Sequence, residues 1–241
     1  VDHRADAGTV MTEGDLAERL EGEARRPRDA AATRQRILEA ATAEFASKGL
    51  AGARVDEIAE RAQINKRMLY VYFGSKDDLF LAVLEEAYAG IRMAERQLDL
   101  EHLGPLEAIE ALVRFTWNYY LEHPEFLRLI NTENLHKAAH LKRSKRIREM
   151  HSPFVKMVAD VLRRGVEQGL FRDGIEPHQL YISIAALAYY YQTNRYTLSV
   201  IYGTDLGAPE ALERRLAFIL DMVRHAILRE PGPARRRKAA T

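Results

Sequence analysis

Residues 62–80 read AQINKRMLYVYFGSKDDLF. Lys66, Arg67, Tyr70, Tyr72 and Lys76 crowd a span that also carries Leu69, Val71 and Phe73, side chains that favour burial. A helix that rests one edge on a core and reaches into a DNA groove with the other accommodates both sets. Asn65 is suited to cap such a helix, because its side chain can accept a free first-turn amide. Gly74-Ser75 interrupts it, and Ser75-Lys76-Asp77-Asp78 resembles a capping box with Asp in place of Glu at the start of the next helix.

Upstream, Val55, Ile58, Ala59 and Ala62 recur at i, i+3, i+4 and i+7, the spacing of a short second helix, and Gln63-Ile64 makes a tight turn. Before that, Thr33 can cap a first helix whose buried stripe is Ile37, Ala41 and Phe45, with Gly49 as its closing glycine. Three short helices with a tight turn between the second and third describe a helix-turn-helix, expected over residues 33–82. Lys66, Arg67 and Met68 then occupy the first turn of the reading helix, where base edges are met. Arg67 can donate two hydrogen bonds to a guanine, worth about 1–3 kcal/mol of discrimination. Tyr70 suits a thymine methyl or a phosphate, and Tyr72 and Lys76 suit backbone phosphate. Amides at the start of the fourth helix can add donors.

The rest of the chain has helical period without strand-like alternation, so the expected class is all-α. Residues 1–32, charged and Ala-rich, read as a flexible basic arm carrying Arg25, Arg26 and Arg28, and residues 230–241 as a flexible basic tail. Leu79, Phe80, Val83, Leu84, Ala87 and Ile91 drive a long fourth helix, within which the small unit gives way to a larger helical domain over residues 83–229. Further helices are expected from Pro105 to His123, around Phe126, Leu127 and Ile130, from Ser152-Pro153 onward, and from Pro209. Residues 178–201 are apolar on nearly every face, which implies burial all round.

Composition bounds the function. Among 241 residues the net charge is only +1, so a nucleic-acid role must rest on local charge. The absence of cysteine excludes disulfides, a thiol nucleophile and a Cys-based zinc finger, and it fits a reducing cytoplasm. No apolar run approaches the roughly 20 residues of a membrane span, and the N-terminus is polar, unlike a signal peptide. No glycine-rich phosphate loop, Gly-x-Ser-x-Gly elbow or His-Glu-x-x-His is found, so no enzyme and no cofactor is expected.

Two constellations remain. Trp117, Tyr120, Phe126, Asn131, Tyr190 and Asn194, together with Tyr189 and Tyr191, offer apolar walls and amide groups for a small-molecule pocket. Taken singly, each reads as ordinary packing. Glu133, His136 and His140 fall at i, i+3 and i+7 and would share a face able to hold a divalent metal if that segment is helical. A solvated or capping role is the favoured reading, and no metal is expected. The basic run Lys142-Arg143-Ser144-Lys145-Arg146 reads as a solvated face.

The stretch GLAGARVDEIAERAQINKRMLYVYFGSKDDLF, residues 49–80, resembles the DNA-binding domain of the TetR (tetracycline repressor) family. The resemblance implies a dimeric, all-helical transcription regulator with a ligand-binding C-terminal domain. It also implies base or phosphate contacts at Lys66, Arg67, Tyr70, Tyr72 and Lys76. Where the family usually has Ser or Thr, this chain has Ala53-Arg54, which removes a hydroxyl cap and leaves Arg54 to meet phosphate by charge. The usual Gly-Val-Ser turn is here Gln63-Ile64-Asn65. Residues 131–144 and 181–209 resemble C-terminal domains of TetR-type regulators of catabolic genes. The expectation is therefore a homodimeric repressor on a near-palindromic double-stranded DNA operator, released by a small-molecule effector. Its last two helices, about 178–201 and 209–228, would pair with their copies as a four-helix bundle. The alternative is a helical small-molecule-binding protein without a DNA role.

Overall fold

The computed structural model describes the backbone of residues 13–230 and the side chains of residues 29–150 and 153–230. Over these residues the chain is all-α. The helices are α1 (Glu13–Gly52), α2 (Val55–Arg61), α3 (Lys66–Phe73), α4 (Lys76–Arg96), α5 (Pro105–Glu122), α6 (Pro124–Leu135), α7 (Arg146–Glu167), α8 (Pro177–Tyr202) and α9 (Pro209–Ile227). A single 3₁₀ turn at Leu141–Arg143 lies between α6 and α7. Phe171 and Leu228 form an isolated antiparallel bridge, which ties the loop after α7 to the end of α9.

Two apolar cores result. The first gathers Ile37, Phe45, Ile58, Leu69, Leu79 and Phe80 from α1–α4, and α6 adds Leu129. The second gathers Ile91, Trp117, Phe154, Ile184 and Val223 from α4 onward. The change of core falls on α4, where Leu84 belongs to the first and Ile91 to the second. At 1.5 Å rise per residue these two lie about 10 Å apart on one rod.

Several expectations are corrected. Helical backbone begins at Glu13, where a flexible arm through residue 32 was expected. The Ala, Glu, Arg and Leu content of residues 13–32 favours helix without any packing pattern, so amphipathic period was the wrong guide there. Thr33 does not cap a helix; its hydroxyl donates back to the Asp29 carbonyl (2.8 Å) in mid-helix. Residues 1–12, the side chains of Arg25, Arg26 and Arg28, and residues 231–241 lie outside the described residues. Gly49 does interrupt regular winding, with φ 66° and ψ 175°.

α7 starts at Arg146, not at Ser152-Pro153, and holds Pro153 in its interior. The Ser144 hydroxyl accepts the Ile147 amide (3.2 Å), one of the free amides in the first turn of α7. α8 is not buried all round: Leu180, Ile184, Ala188 and Tyr191 face the core, but Val200 is 83% and Tyr190 58% exposed. Ile182, Tyr196, Ile201 and Tyr202 of α8, with Phe218 and Met222 of α9, are exposed as well. A groove of about 650 Å³ beside them is lined by Ile175, Leu187, Met222 and Val223 among others.

Candidate DNA-reading face and effector cavity

α3 is anchored from one side. Leu69 is fully buried, and Tyr72 and Phe73 pack partly against the N-terminal core. Asn65 Oδ1 accepts the Met68 amide (2.9 Å), so the first turn is fixed. Arg54, Asn65, Lys66, Arg67 and Tyr70 are exposed, while Met68, Tyr72 and Lys76 are half-buried. Val71, expected inside, is 69% exposed and shares the outer surface of α3 with Arg67 and Tyr70. Apart from Arg54, which precedes α2, and Lys76, which opens α4, the expected reading residues lie on one short helix and at its cap.

The two departures from the usual family pattern are accommodated differently. Arg54 precedes α2 in extended conformation and gives no side-chain cap. The buried Glu44 carboxylate instead accepts the Arg54 amide (3.1 Å) and meets Lys48 Nζ at 2.8 Å. Burial pushes the Glu44 carboxyl up, but Lys48 and the Arg54 amide outweigh it and hold it below its ordinary value. Gln63 takes the left-handed conformation (φ 55°) in which glycine is most at ease. Lys66 Nζ sits 2.9 Å from Asp56 Oδ1 of α2, so engaging phosphate requires exchanging that carboxylate. Arg67 thus carries the more available charge at the helix start.

The start of α4 is clasped by the segment after α6. Ser75 Oγ accepts the Asp78 amide (3.0 Å) and donates to Asp78 Oδ2 (2.6 Å). Asp78 also pairs with Arg143, and the Ser75 hydroxyl and Arg143 together hold its carboxyl below the usual range. Ser144 donates to Glu85 (2.6 Å) and Arg146 to Glu86 (2.8 Å), so the basic run meets the acidic face of α4 rather than only solvent. Glu133, His136 and His140 do not share a helix face. α6 ends at Leu135, and Lys137 and Ala138 adopt φ 54° and 57°. Buried Glu133 accepts from the His140 amide, the Leu141 amide and His140 Nδ1 (2.9, 2.9 and 2.7 Å), while His136 turns to the Thr132 carbonyl. Among the described residues no group of three or more acidic or imidazole side chains is placed to hold a metal ion.

The expected pocket residues scatter. Trp117 and Phe126 belong to the core, Tyr190 is exposed, and Asn194 Nδ2 bonds the Tyr190 carbonyl (2.9 Å). Tyr120 and Asn131 do meet, in a cleft of about 120 Å³ with Arg128, Gln192 and Tyr196, and Asn131 accepts from the Tyr189 hydroxyl.

A second cavity, of about 240 Å³, is lined by Arg92, Arg96, Glu101, Met150, Pro153, Phe154 and Met157. Arg92 is buried in its wall and pairs with Glu95, which is buried but not part of the lining: Arg92 Nη1 lies 2.7 Å from Glu95 Oε2. Arg92 Nη2 donates to the Tyr181 hydroxyl (2.9 Å), which donates to Glu95 Oε1 (3.2 Å). The guanidinium stands 4.5 Å from the Phe154 ring centroid and 5.4 Å from that of Tyr181. Burial pushes the Glu95 carboxyl up to about 7 against the opposing pull of Arg92 and Tyr181. Nearby Tyr119 is raised to about 12 and Tyr120 and Tyr181 are raised too, all chiefly by burial. Arg164 donates to the carbonyls of Leu100, Glu101 and Leu103 and so fixes the loop at the cavity mouth. The sequence reading missed this cluster. Its one local signal is that Glu95 continues the buried stripe of Leu84 and Ile91, a position where an apolar residue is the norm.

Comparison with known proteins agrees at both ends of the chain. Residues 37–83 match the family model described as bacterial regulatory proteins, tetR family, and residues 105–223 match the tetracyclin repressor-like C-terminal domain. The chain is 40% identical over 204 residues to the HTH-type transcriptional repressor NicS of Pseudomonas putida, covering 85% of this chain and 96% of that one. It is 37% identical over 163 residues to the HTH-type transcriptional repressor SCO4008 of Streptomyces coelicolor, covering 67% and 79% respectively. The ketosteroid transcriptional regulator KstR2 of Mycobacterium tuberculosis shares the fold, with a TM-score of 0.59 at 24% identity over 82% of this chain and 95% of that one.

Proposed function

The chain belongs to the TetR family of bacterial transcriptional regulators, and from that premise we propose that it is a repressor. It binds a near-palindromic operator as a homodimer and is released by a small-molecule effector. The observation that carries the reading is α3 itself: Leu69 is fully buried while Arg67 and Tyr70 stand exposed on a helix fixed by Asn65. A reading helix must be rigid on one side and free on the other. Arg67 addresses a base edge; Arg54, Tyr72 and Lys76 address phosphate.

The exposed apolar residues of α8 and α9 support pairing with a second copy. Burying Ile182, Tyr190, Phe218 and Met222 against their counterparts would gain the apolar transfer free energy that the single chain forgoes. Two-fold pairing would place two α3 helices about 34–36 Å apart, one DNA turn. α4 supports the coupling. It begins beside α3 at Lys76 and carries Arg92 about 24 Å further along the same rod, at 1.5 Å per residue. An effector bound near Arg92 would shift the spacing of the reading helices by its preference between two conformers, typically about 1–3 kcal/mol. Such a protein works in the cytoplasm, with its DNA. Among the described residues no helix is long and apolar enough to cross a membrane.

Selection of duplexes from a random library by the full chain tests the reading. We expect enrichment of two symmetric half-sites one turn apart, with affinity falling steeply as salt rises. Enrichment of a single asymmetric site would refute the dimer. Retention of no duplex at all would leave a helical ligand-binding protein without a DNA role.

A further inference from the structure

The 240 Å³ cavity holds a feature that packing alone does not require: a buried guanidinium on a wall that mixes charged and apolar side chains, only partly engaged by its neighbours. Arg92 is 7% exposed and Glu95 1%. Their closest atoms are 2.7 Å apart, yet neither Arg92 Nη1 nor Glu95 Oε2 makes an aligned hydrogen bond. The reason is local. The two residues sit at i and i+3 of one helix, and that spacing does not let the carboxylate face the guanidinium fork squarely. A carboxylate arriving from the cavity is free of that constraint and can take both donors in parallel.

The walls set the rest of the ligand. The Phe154 ring, Met150 and Met157 offer an apolar slot, and the volume admits a ring-sized molecule. Tyr88 on α4, Tyr119 and Tyr120 on α5 and Tyr181 on α8 face the pair, and burial raises all four phenols, so they remain neutral. Among the described residues, α7 lends the cavity the uncharged Met150, Pro153, Phe154 and Met157. At the mouth the exposed Arg96 and Glu101 offset each other. Among the described lining residues Arg92 is the one buried cation; one negative charge matches it, and a doubly charged ligand would carry an uncompensated charge inside.

We propose that this cavity is the effector site, resting on the regulator reading above, and that it takes a small, ring-sized organic monocarboxylate that displaces Glu95 from Arg92. Glu95, left without its cation in an apolar setting, takes up one proton from solvent as the ligand binds. Its carboxyl is already poised at about 7, so affinity is greatest below that pH and falls by about tenfold per unit above it.

Calorimetry on the full-length protein tests this, with benzoate and cyclohexanecarboxylate each set against its primary amide, in two buffers of different ionisation enthalpy. Expected are binding of at least one acid, neither amide binding comparably, and uptake of close to one proton at pH 8. Arg92→Lys should weaken the acid at least tenfold, because an ammonium cannot present the paired fork. Glu95→Gln should tighten it and abolish both the proton uptake and the pH dependence; a merely structural Glu95 would not do so. If Arg92→Lys fails to fold, the Glu95→Gln comparison still decides. Amides binding as well as acids, no acid binding, or an unchanged pH profile in Glu95→Gln overturns the proposal. Loss of acid binding with operator binding intact overturns this inference alone, whereas a wild-type chain that binds acid but no duplex overturns the regulator reading.

Discussion

In the N-terminal unit Arg54, Lys66 and Arg67 stand in solvent around an apolar core, and the buried Glu44 accepts the Arg54 amide just ahead of α2. In the C-terminal domain Arg92 and Glu95 lie inside, among Phe154, Tyr120 and Tyr181. The same residue types thus serve opposite ends. Outside, a guanidinium keeps its hydration and gives it up only when DNA arrives. Inside, it has lost that hydration on folding and holds a standing demand for an anion. One surface suits a large polyanion, the other a small molecule that must be desolvated to enter.

The contrast can be broken most severely at Leu69. Leu69→Ala empties the centre of the small core and should cost about 2–5 kcal/mol. Thermal unfolding followed by circular dichroism should then split, with the N-terminal unit melting first and the larger domain near its original temperature. A single transition shifted as a whole would mean that the two cores fold as one.

The buried pair gives the next effect. Because the folded Glu95 carboxyl is raised to about 7 from 4.5, the native state holds a proton that the unfolded chain has released. Stability from this group is present below pH 4.5 and is lost as pH rises through about 7, by about 3 kcal/mol at most. Denaturant titrations between pH 5 and pH 8 should show this slope in the wild type and a smaller one in Glu95→Gln. Equal slopes would mean that Glu95 is ionised throughout.

A smaller effect is expected at the cap. Asn65→Ala removes the acceptor for the Met68 amide and should lower stability by about 0.5–2 kcal/mol. It should also weaken DNA binding by loosening the turn that presents Arg67. Unchanged binding with lowered stability would separate the cap from the reading function.

The two regions also differ in how much could be read from the chain. Asn65, Leu69, Gly74 and Ser75 lie within a dozen residues, so the reading helix is specified by local spacing and capping chemistry, and α3 and α4 begin where those signals place them. The cavity joins residues 92, 96 and 101 to 150, 153, 154 and 157 and, through Tyr181, to a third stretch of chain. No local pattern announces such a meeting. The aromatic group expected to form a pocket around Trp117 and Tyr190 does not assemble, because packing takes Trp117 into the core and leaves Tyr190 outside. Apolar period likewise misjudged α8, because an exposed apolar face has the same composition as a covered one. Helix α1 extends past its amphipathic stretch, and Pro153 lies within α7 rather than starting it.

The central claim, that α3 reads DNA, is tested most directly by fluorescence anisotropy of the selected operator with wild type, Arg67→Ala and Arg163→Ala, an exposed arginine of α7. Arg67→Ala should lose about 1–3 kcal/mol of preference for operator over scrambled duplex, while Arg163→Ala matches wild type. Equal preference in all three proteins, or a loss confined to Arg163→Ala, would contradict the account.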